Sequence, residues 1–547
     1  MCTMRVGLGQ FNAVVGDLAG NTERMWQIYA QAVRADVDLL AFPELAVCGY
    51  PPEDLLYKQH FLRDCSLALN RFAADCSRMT IVAGFAEGNG ANCYNAAAVL
   101  QNGGISKIYR KAFLPNYGVF DERRYFQCGL EPLVFNVEGV DVAVTICYDI
   151  WNIERLSDFL QRAGRIQMML NISASPFHTG KINVREQIVH RCAGQFGCAV
   201  AYCNLVGGQD ELIFDGRSLF ADSAGRVVAK ARAFDEDLLI ADVIAESNGA
   251  VHVEPAQPAA PQPADLVDEI YQALVLGTRD YARKNGFEKV LLGLSGGVDS
   301  SVTAAIAVAA LGAENVVGVS MPSQYNSAET ISDAERLAKN LGIEFHTIPI
   351  GPVLSQFHNS LLTVEGWDSD GLSYENLQAR IRGCILMSLS NQFGALVLTT
   401  GNKSETAVGY TTLYGDTAGG FGVIKDVPKT TVYKLAERIN DVGGRQIIPA
   451  DVITRPPSAE LKPGQKDSDS LPDYDLLDRI LKGYVEEDKS VAQLVGQGLP
   501  KDVVSEVIRL VDRNEYKRRL SPPGVRITPK AFGKDRRLPI TNRYRQH

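Results

Sequence analysis

The segment at residues 290–311 constrains the fold of this chain more than any other. An apolar run, VLLGL at 290–294, is followed by the turn SGGVDS at 295–300 and then by the helix-forming stretch 301–311. A strand, a glycine turn and a helix are therefore specified together. Glycines let a backbone approach a polyphosphate closely, and the first turn of a helix presents unpaired amide groups. The segment predicts a parallel-sheet α/β domain with a phosphate-binding loop.

Hydroxyl groups and a carboxylate complete the predicted loop. Ser295 and Ser300 supply hydroxyl donors, and Asp299 is placed to hold Mg²⁺. No lysine follows the glycines as the pattern G-x-x-x-x-G-K-[ST] requires, so the usual NTPase interpretation fails. The loop resembles that of N-type ATP pyrophosphatases, which cleave ATP between the α- and β-phosphates; the alternative is a glycine turn that binds no ligand. The resemblance implies ATP contacts from Gly293, Leu294, Ser295, Gly296, Gly297, Val298, Asp299 and Ser300.

The length and composition of the chain narrow its class. With 547 residues it exceeds one ordinary domain. No apolar run reaches membrane-spanning length, and the start MCTMRVGLGQF is typical of a strand rather than a signal peptide. Eleven cysteines at irregular spacings, with no C-x-x-C pair, argue against a disulfide framework or a zinc site. We expect a cytoplasmic enzyme that does not bind membranes.

A segment rich in proline and alanine, at 253–266, divides the chain. Because proline is unsuited to the interior of a helix or strand, we predict a domain at 1–250, a linker at 251–266 and a domain at 267–547. In the second domain, Ser332 and Glu335 predict a capping box for a helix that Gly342 ends. Strand-like runs alternate with helical patterns in both halves, at 5–11, 38–44, 80–87, 141–147, 167–173, 290–294, 316–322, 343–350 and 395–402.

Three residues of the first half occur at places where a side chain can do chemistry. Glu44 ends the run DLLAFPE, Lys111 lies in IYRKAFLPN, and Cys147 ends DVAVTIC. In these contexts residues 4–245 resemble the nitrilase superfamily, which implies an αββα sandwich and amide hydrolysis. By this resemblance Cys147 is the nucleophile and Glu44 accepts its proton and later activates water. Lys111 stabilises the oxyanion together with a backbone amide near Tyr148.

The same resemblance extends to substrate contacts. It implies that Glu122 supports the catalytic triad. A rival interpretation is a cysteine and histidine pair with His178 or His190 as the base, but neither histidine lies in a recognisable motif. The implied glutamine-binding residues are Tyr117, Ser175 and Lys181.

Segments of the second half resemble NAD⁺ synthetases. They are YENLQARIRG at 374–383, the stretches 398–439 and 448–461, and the basic end at 514–545. The family reaction transfers AMP from ATP to the nicotinate carboxylate of deamido-NAD⁺, with release of pyrophosphate, and ammonia then displaces AMP. With a nitrilase-like half in front, the whole chain resembles the glutamine-dependent NAD⁺ synthetases.

This resemblance assigns residues to two polyanionic substrates. It places Thr400 against ATP. Asp299 and Glu405 are the predicted Mg²⁺ ligands, because hard oxygen donors suit this ion. Contacts to deamido-NAD⁺ are implied for Asn376, Glu405 and Lys517, and further candidates for the same pocket are Asp416, Lys425 and Lys429.

The expected partners are small molecules: glutamine, ATP and deamido-NAD⁺. Residues 513–547 carry eleven Lys and Arg against two acids, which suits substrate phosphates, a nucleic acid or the acidic surface of another subunit. Because no base-reading motif occurs there, we expect no nucleic acid. We also expect a homo-oligomer and a closed passage for ammonia. Two alternatives remain open: a ligase of the same ATP class that amidates a different acid, and a non-catalytic glutamine or nucleotide sensor.

Overall fold

The computed structural model describes residues 2–89, 92–246, 250–368 and 371–544. The chain divides into two compact units, Met1–Ala264 and Asp265–His547. None of the helices within the described ranges combines the length and the apolar character that a bilayer crossing requires.

The first unit contains fifteen strands and four α-helices among its described residues. The strands are β1 Cys2–Gln10, β2 Leu39–Ala41, β3 Thr80–Asn89, β4 Asn92–Gln101, β5 Gly104–Arg110, β6 Leu133–Val137, β7 Val140–Ile146, β8 Met168–Ser173, β9 Ala199–Asn204, β10 Val206–Gln209, β11 Leu212–Asp215, β12 Leu219–Ala221, β13 Val227–Lys230, β14 Asp237–Ala245 and β15 Val251–Pro255. The helices are α1 Leu18–Arg34, α2 Gln59–Asp75, α3 Ile153–Leu160 and α4 Lys181–Phe196.

Two large sheets form the centre of this unit. One has the strand order β15-β14-β1-β2-β3-β4-β5 and the other β13-β12-β9-β8-β7-β6. A shared apolar core between them includes Val6 and Leu8 of β1 and Val142 and Val144 of β7. Helices α1 and α2 pack on the first sheet, and α3 and α4 pack on the second. The layers therefore run helix, sheet, sheet, helix, which confirms the αββα sandwich.

Local sequence explains how these layers form. The Asp17 side chain caps α1 by accepting from the Gly20 amide at 2.9 Å. The buried residues of α1 include Met25, Ile28, Tyr29 and Ala32, which recur at helical spacing and form the face that packs on the sheet. The buried face of α1 thus comes from a periodic apolar pattern.

The predicted linker is corrected by the structure at its start. Residues 251–255 are not linker but strand β15, which pairs antiparallel with β14 and is the edge of its sheet. Proline lacks an amide donor, but Pro255 is the last residue of an edge strand, where that donor is dispensable. The segment outside regular structure is therefore 256–265.

The second unit contains a five-stranded sheet and twelve α-helices among its described residues. The strands are β16 Val290–Gly293, β17 Val316–Ser320, β18 Glu344–Thr347, β19 Leu396–Thr399 and β20 Phe421–Gly422. The helices are α5 Leu266–Lys284, α6 Val298–Leu311, α7 Ala328–Leu341, α8 Gly351–Leu361, α9 Leu372–Phe393, α10 Lys403–Val408, α11 Lys429–Gly443, α12 Ala450–Thr454, α13 Tyr474–Leu481, α14 Val491–Gly496, α15 Lys501–Arg513 and α16 Glu515–Arg518.

The sheet of the second unit is parallel throughout, with the order β18-β17-β16-β19-β20. Helices α8 and α9 share an apolar core with β16, β17 and β19. Because β17 and β19 lie on opposite sides of β16, the chain reverses direction across the sheet beside β16. Ligands of such folds bind at this switch point, at the carboxyl ends of the strands. The predicted Rossmann-like parallel sheet is confirmed.

Each of the nine predicted strands is a strand in the structure. The predicted capping box is wrong. Helix α7 begins at Ala328, and Ser327 caps it by accepting from the Thr330 amide, so Ser332 lies inside the helix. Gly342 does end this helix, with a φ of 73°.

Candidate active sites

Glu44 lies in the loop after β2 and is held from three directions. Its Oε1 accepts from Lys111 Nζ at 2.6 Å and from Asn95 Nδ2 at 2.7 Å, and its Oε2 accepts from the Ala174 amide at 2.8 Å. The side chain is buried. The loop can approach the sheet this closely because Gly84 on β3 has no Cβ, which would lie 2.4 Å from the Pro43 carbonyl oxygen. Glu44 is thus a fixed carboxylate rather than a mobile one.

Lys111 follows β5 and is completely buried between two carboxylates. Besides Glu44, its Nζ donates to Glu122 Oε1 at 2.9 Å, and that oxygen also accepts from the Tyr50 hydroxyl at 2.9 Å. Burial lowers the pKa of Lys111, but the charges of Glu122 and Glu44 outweigh burial and keep the pKa above its usual range. Burial raises the pKa of Glu122 to about 7 against the opposing charge of Lys111. The lysine is therefore cationic at neutral pH.

Cys147 follows β7 and begins a 3₁₀ turn, Cys147–Trp151. Its φ of 41° is unusual for a residue with a side chain and marks a sharp change of direction between strand and turn. Burial, together with the charge of Glu44, raises the pKa of the Cys147 thiol, and the charge of Lys111 opposes this rise. The three predicted catalytic groups therefore act on one another, and the resting cysteine is a thiol.

Asp149, which the sequence analysis did not single out, joins the cysteine turn to the lysine segment. Its Oδ2 accepts from the Ile146 amide and the Tyr109 hydroxyl, both at 2.8 Å, and its Oδ1 accepts from the Phe113 amide at 2.9 Å. Tyr109 and Phe113 lie on either side of Lys111 in sequence. One buried carboxylate thus ties both flanks of the lysine to the residue before Cys147.

Two of the predicted glutamine-binding residues, Tyr117 and Lys181, lie against aromatic side chains of the cysteine turn. The ring of Tyr117 lies 5.7 Å from that of Tyr148, which stacks on Trp151 at 6.4 Å. Lys181 Nζ lies 3.9 Å from the centre of the Trp151 ring. Tyr117 and Lys181 are therefore connected through the aromatic side chains of the cysteine turn.

Ser175 is buried two residues beyond β8. Its hydroxyl accepts from Arg185 Nε at 3.2 Å, its carbonyl accepts from Arg185 Nη2 at 2.8 Å, and its amide donates to Asn204 Oδ1 at 2.9 Å. Sequence reasoning missed Arg185, although it lies four residues after Lys181, one turn along α4. That helical spacing is the signal that could have found it.

A cavity of about 590 Å³ opens in the second unit. It is lined by every residue for which the resemblance implies a contact to ATP or deamido-NAD⁺, but not by every further candidate. Asp416 and Lys429 line it too. Within the described residues Lys425 does not line the cavity, and the Lys425 Nζ donates instead to the Pro522 carbonyl at 2.6 Å. The predicted lining residues are Gly293, Leu294, Ser295, Gly296, Gly297, Val298, Asp299, Ser300, Asn376, Thr400, Glu405 and Lys517.

The glycine turn forms one wall of this cavity. Gly296 has a φ of 80°, and a Cβ there would lie 2.1 Å from the Thr330 carbonyl oxygen. Ser295 Oγ accepts from the Gly297 amide at 3.2 Å, and Ser300 Oγ donates to the Gly297 carbonyl at 3.0 Å. Gly297 is the N-cap of α6, so the helix starts from the turn itself, which is the geometry that binds phosphate.

Two carboxylates meet at Lys429 inside the cavity. The Lys429 ammonium contacts Asp299 Oδ2, and it donates to Glu405 Oε1 at 3.2 Å. Asp299 Oδ1 also accepts from Asn402 Nδ2 at 2.9 Å. Burial raises the pKa of Glu405 to about 7, although Lys429 opposes the rise. The two predicted metal ligands thus converge on one cationic position.

These carboxylates fit Mg²⁺ in number and type. Across the described ranges, no group of three or more His, Cys, Asp or Glu is arranged to hold a metal ion. Mg²⁺ is usually bound by one or two carboxylates together with substrate phosphates and water, so a third protein donor is not required. Asp299 and Glu405 beside the glycine turn meet this condition.

A second group of cavity residues surrounds Thr412. Its hydroxyl donates to Asn376 Oδ1 at 2.6 Å, and its amide donates to Asp416 Oδ1 at 2.6 Å. Lys517 Nζ donates to the carbonyls of Gly409 and Thr411 at 2.8 and 2.9 Å. The structure thus brings Asn376, Asp416 and Lys517 to one loop, 409–416. Sequence analysis did not identify Thr412, because nothing in its spacing separates it from its neighbours.

Comparisons with known proteins agree with this division of sites. A family model described as carbon-nitrogen hydrolase matches residues 5–252, and one described as NAD synthase matches residues 270–521. The glutamine-dependent NAD(+) synthetase of Thermotoga maritima is 45% identical over 100% of both chains. That of Aquifex aeolicus is 45% identical over 99% of this chain and 100% of its own.

A solved structure is similar over nearly the whole length. The glutamine-dependent NAD⁺ synthetase from Acinetobacter baumannii, in complex with ADP, has 43% sequence identity and a TM-score of 0.79. The match covers 99% of each chain.

Proposed function

This chain belongs to the glutamine-dependent NAD⁺ synthetases, and from that premise we propose how its residues divide the reaction. The enzyme is a ligase that forms NAD⁺ from deamido-NAD⁺ with ATP as co-substrate and glutamine as the nitrogen donor. The observation that carries the assignment is that one chain holds both a buried Glu44–Lys111 pair beside Cys147 and a phosphate-type turn in a large cavity. Residues 1–250 are assigned to glutamine hydrolysis and residues 267–547 to synthesis.

The first half hydrolyses the side-chain amide of glutamine. Glu44 takes the proton of the Cys147 thiol as the sulfur attacks the amide carbon, which avoids a free thiolate in a buried site. Lys111 and a backbone amide near Tyr148 stabilise the oxyanion. The intermediate collapses by breaking the C–N bond, and the leaving nitrogen takes the proton from Glu44. Glu44 then activates a water molecule that hydrolyses the thioester to glutamate.

The fixed charges explain why this order is favourable. Since Lys111 stays cationic between two carboxylates, it stabilises negative charge on the substrate oxygen without giving up a proton. Both oxygens of Glu44 accept hydrogen bonds, which keeps this carboxylate in place through both steps. Tyr117, Ser175 and Lys181 are proposed to hold the glutamine.

The second half joins ammonia to deamido-NAD⁺. A carboxylate oxygen of the nicotinate ring attacks the α-phosphorus of ATP, pyrophosphate leaves, and ammonia then displaces AMP to form the amide. The turn from Gly293 to Ser300 and Thr400 are proposed to bind ATP, and Asn376, Glu405 and Lys517 to bind the dinucleotide. Because both substrates are polyanions, catalysis here depends on positioning and on stabilising charge rather than on a covalent nucleophile.

Asp299 and Glu405 are proposed to hold Mg²⁺. When bound, this ion would neutralise charge on the phosphate oxygens. Lys429, which contacts both carboxylates, supplies a second positive group on the same side of the cavity.

Ammonia is a nucleophile only in its unprotonated form, so we propose that it reaches the second site without equilibrating with water. An ammonia-consuming enzyme added to the assay should leave glutamine-driven synthesis intact. Loss of that synthesis would contradict a protected transfer of ammonia.

We also propose a cytoplasmic homo-oligomer whose partners are its small-molecule substrates and neither nucleic acid nor membrane.

One experiment tests the division of labour. The Cys147→Ala variant should lose NAD⁺ synthesis from glutamine and keep synthesis from ammonium at the wild-type rate, because only the first site needs the thiol. Initial rates are measured with ATP, Mg²⁺ and deamido-NAD⁺ and with each nitrogen donor in turn.

The matched control is Cys65→Ala. Cys65 is equally buried, but it lies on α2 in the core between helix and sheet. It should retain both activities. Glutamine-driven synthesis that survives in Cys147→Ala would remove the nucleophile assignment, and loss of both reactions would show a general structural effect.

A further inference from the structure

The segment that follows β8 connects two functions of the glutaminase site. The Ala174 amide donates to Glu44 Oε2 at 2.8 Å, so this segment supplies one of the bonds that fix the general base. The next residue, Ser175, is the proposed substrate contact. A displacement of residues 173–175 would therefore disturb the base and the substrate contact together.

Arg185 makes two of the bonds that hold this segment. Its Nη2 donates to the Ser175 carbonyl at 2.8 Å and its Nε to the Ser175 hydroxyl at 3.2 Å. The remaining arm, Nη1, donates at 2.6 Å to Asp215 Oδ1 at the end of β11. The guanidinium is planar and rigid, so contacts on several arms fix the position of Ser175 relative to α4 and β11.

The burial of the Arg185–Asp215 ion pair carries a desolvation free energy that argues against a purely stabilising role. The side chains of Arg185 and Asp215 are 1% and 0% exposed. Burying two charged side chains costs more free energy than burying two apolar side chains of the same volume. Replacement of a buried ion pair by hydrophobic residues is therefore often neutral or stabilising. A geometric role accounts for a charged clamp at this place better than stability does.

We propose that Arg185, anchored by Asp215, is a positioning residue of the glutaminase site that keeps Ala174 bonded to Glu44 and holds Ser175 in place for the substrate. This inference rests on the proposed glutaminase function. It adds a residue that acts through Ser175 and Ala174 rather than on the reacting atoms.

The test compares two variants with a control. Arg185→Lys keeps the positive charge beside Asp215 but cannot donate to both atoms of Ser175 and to Asp215 in the same geometry. We expect its KM for glutamine to rise roughly tenfold, while the ammonium-driven rate stays at the wild-type value. The neutral pair Arg185→Gln with Asp215→Asn removes both charges, so no unpaired charge is left buried, and should show at least the same loss.

The kinetic constants for the two nitrogen donors separate positioning from a merely structural effect. If Ala174 moves away, Glu44 loses one of the bonds that fix it, so kcat for glutamine should fall as KM rises in both variants. The control is Arg217→Lys. Arg217 Nη1 lies 3.7 Å from the other oxygen of Asp215, and the control should keep the wild-type KM and kcat for glutamine.

Arg185→Lys with wild-type KM and kcat for glutamine would overturn the proposal. So would loss of ammonium-driven synthesis or of folding in both variants, because that result assigns Arg185 to stability. Glutamine-driven turnover in Cys147→Ala would instead refute the glutaminase assignment itself, so the two failures are distinguishable.

Discussion

Replacing Gly84 by alanine should damage the glutaminase site without any change to a catalytic side chain. Gly84 lies on β3 against the loop that carries Glu44, and a Cβ at this position would lie 2.4 Å from both the Pro43 carbonyl oxygen and the Leu45 amide nitrogen. These are backbone atoms on either side of Glu44, so no side-chain rotation can relieve the contact. The loop must move.

The size of the effect follows from the required displacement. A Cβ essentially never lies within 3.0 Å of such an atom, so the gap of 2.4 Å must widen by 3.0 − 2.4, about 0.6 Å. Glu44 holds Lys111 and Asn95 at 2.6 and 2.7 Å, and these bonds lengthen if the loop recedes. A misplacement of about 1 Å can cost roughly 100-fold in rate, so a shift of about 0.6 Å should lower kcat/KM for glutamine roughly tenfold.

The assay measures NAD⁺ formation with glutamine and with ammonium for the wild type, Gly84→Ala and Gly104→Ala. Gly104, at the start of β5, is the matched control because a Cβ there has no neighbour within 4 Å among the described residues. Only the glutamine reaction of Gly84→Ala should fall. A value within about twofold of the wild type, or a parallel fall with both donors, would refute the reasoning.

One further prediction concerns the second unit. Gly296→Ala should abolish synthesis from either nitrogen donor, because the added Cβ would lie 2.1 Å from the Thr330 carbonyl oxygen in a left-handed backbone. The control is Gly342→Ala, where the backbone is also left-handed but the added Cβ has open space; it should lower the free energy of unfolding by only roughly 1–2 kcal/mol and keep synthesis. Equal activities of the two variants would contradict the predicted clash.

The strands and the chemistry at their ends were accessible from the sequence. Apolar runs fixed the positions of β2, β7 and β16, and Glu44, Cys147 and the glycine turn follow these strands directly. That Glu44 and Cys147 meet does not follow from these runs, because β2 and β7 belong to different sheets and only the packing of the two sheets brings their ends together. Helix-capping signals were less reliable where two serines competed for the same role, since Ser327 and not Ser332 caps α7.

The edge strand β15 shows why some elements could not be predicted. Its residues VHVE alternate between buried and exposed, as in an edge strand, but the prolines that follow favoured a linker, and pairing with the open edge of β14 makes the segment a strand. Pairing of this kind depends on a partner that lies elsewhere in the chain, so it is a property of the assembled sheet.

The sequence determined the class of fold through its apolar runs and glycine turn, and its motifs carried the family resemblances that imply the two chemistries and the residues proposed to perform them, because each depends on short segments with a local physical meaning. Only the tertiary structure decided which groups touch. It enclosed Lys111 between two carboxylates, joined Asp149 to both flanks of that lysine, and clamped Ser175 with Arg185. These contacts link segments distant in sequence, and their strength comes from burial, which no local pattern encodes.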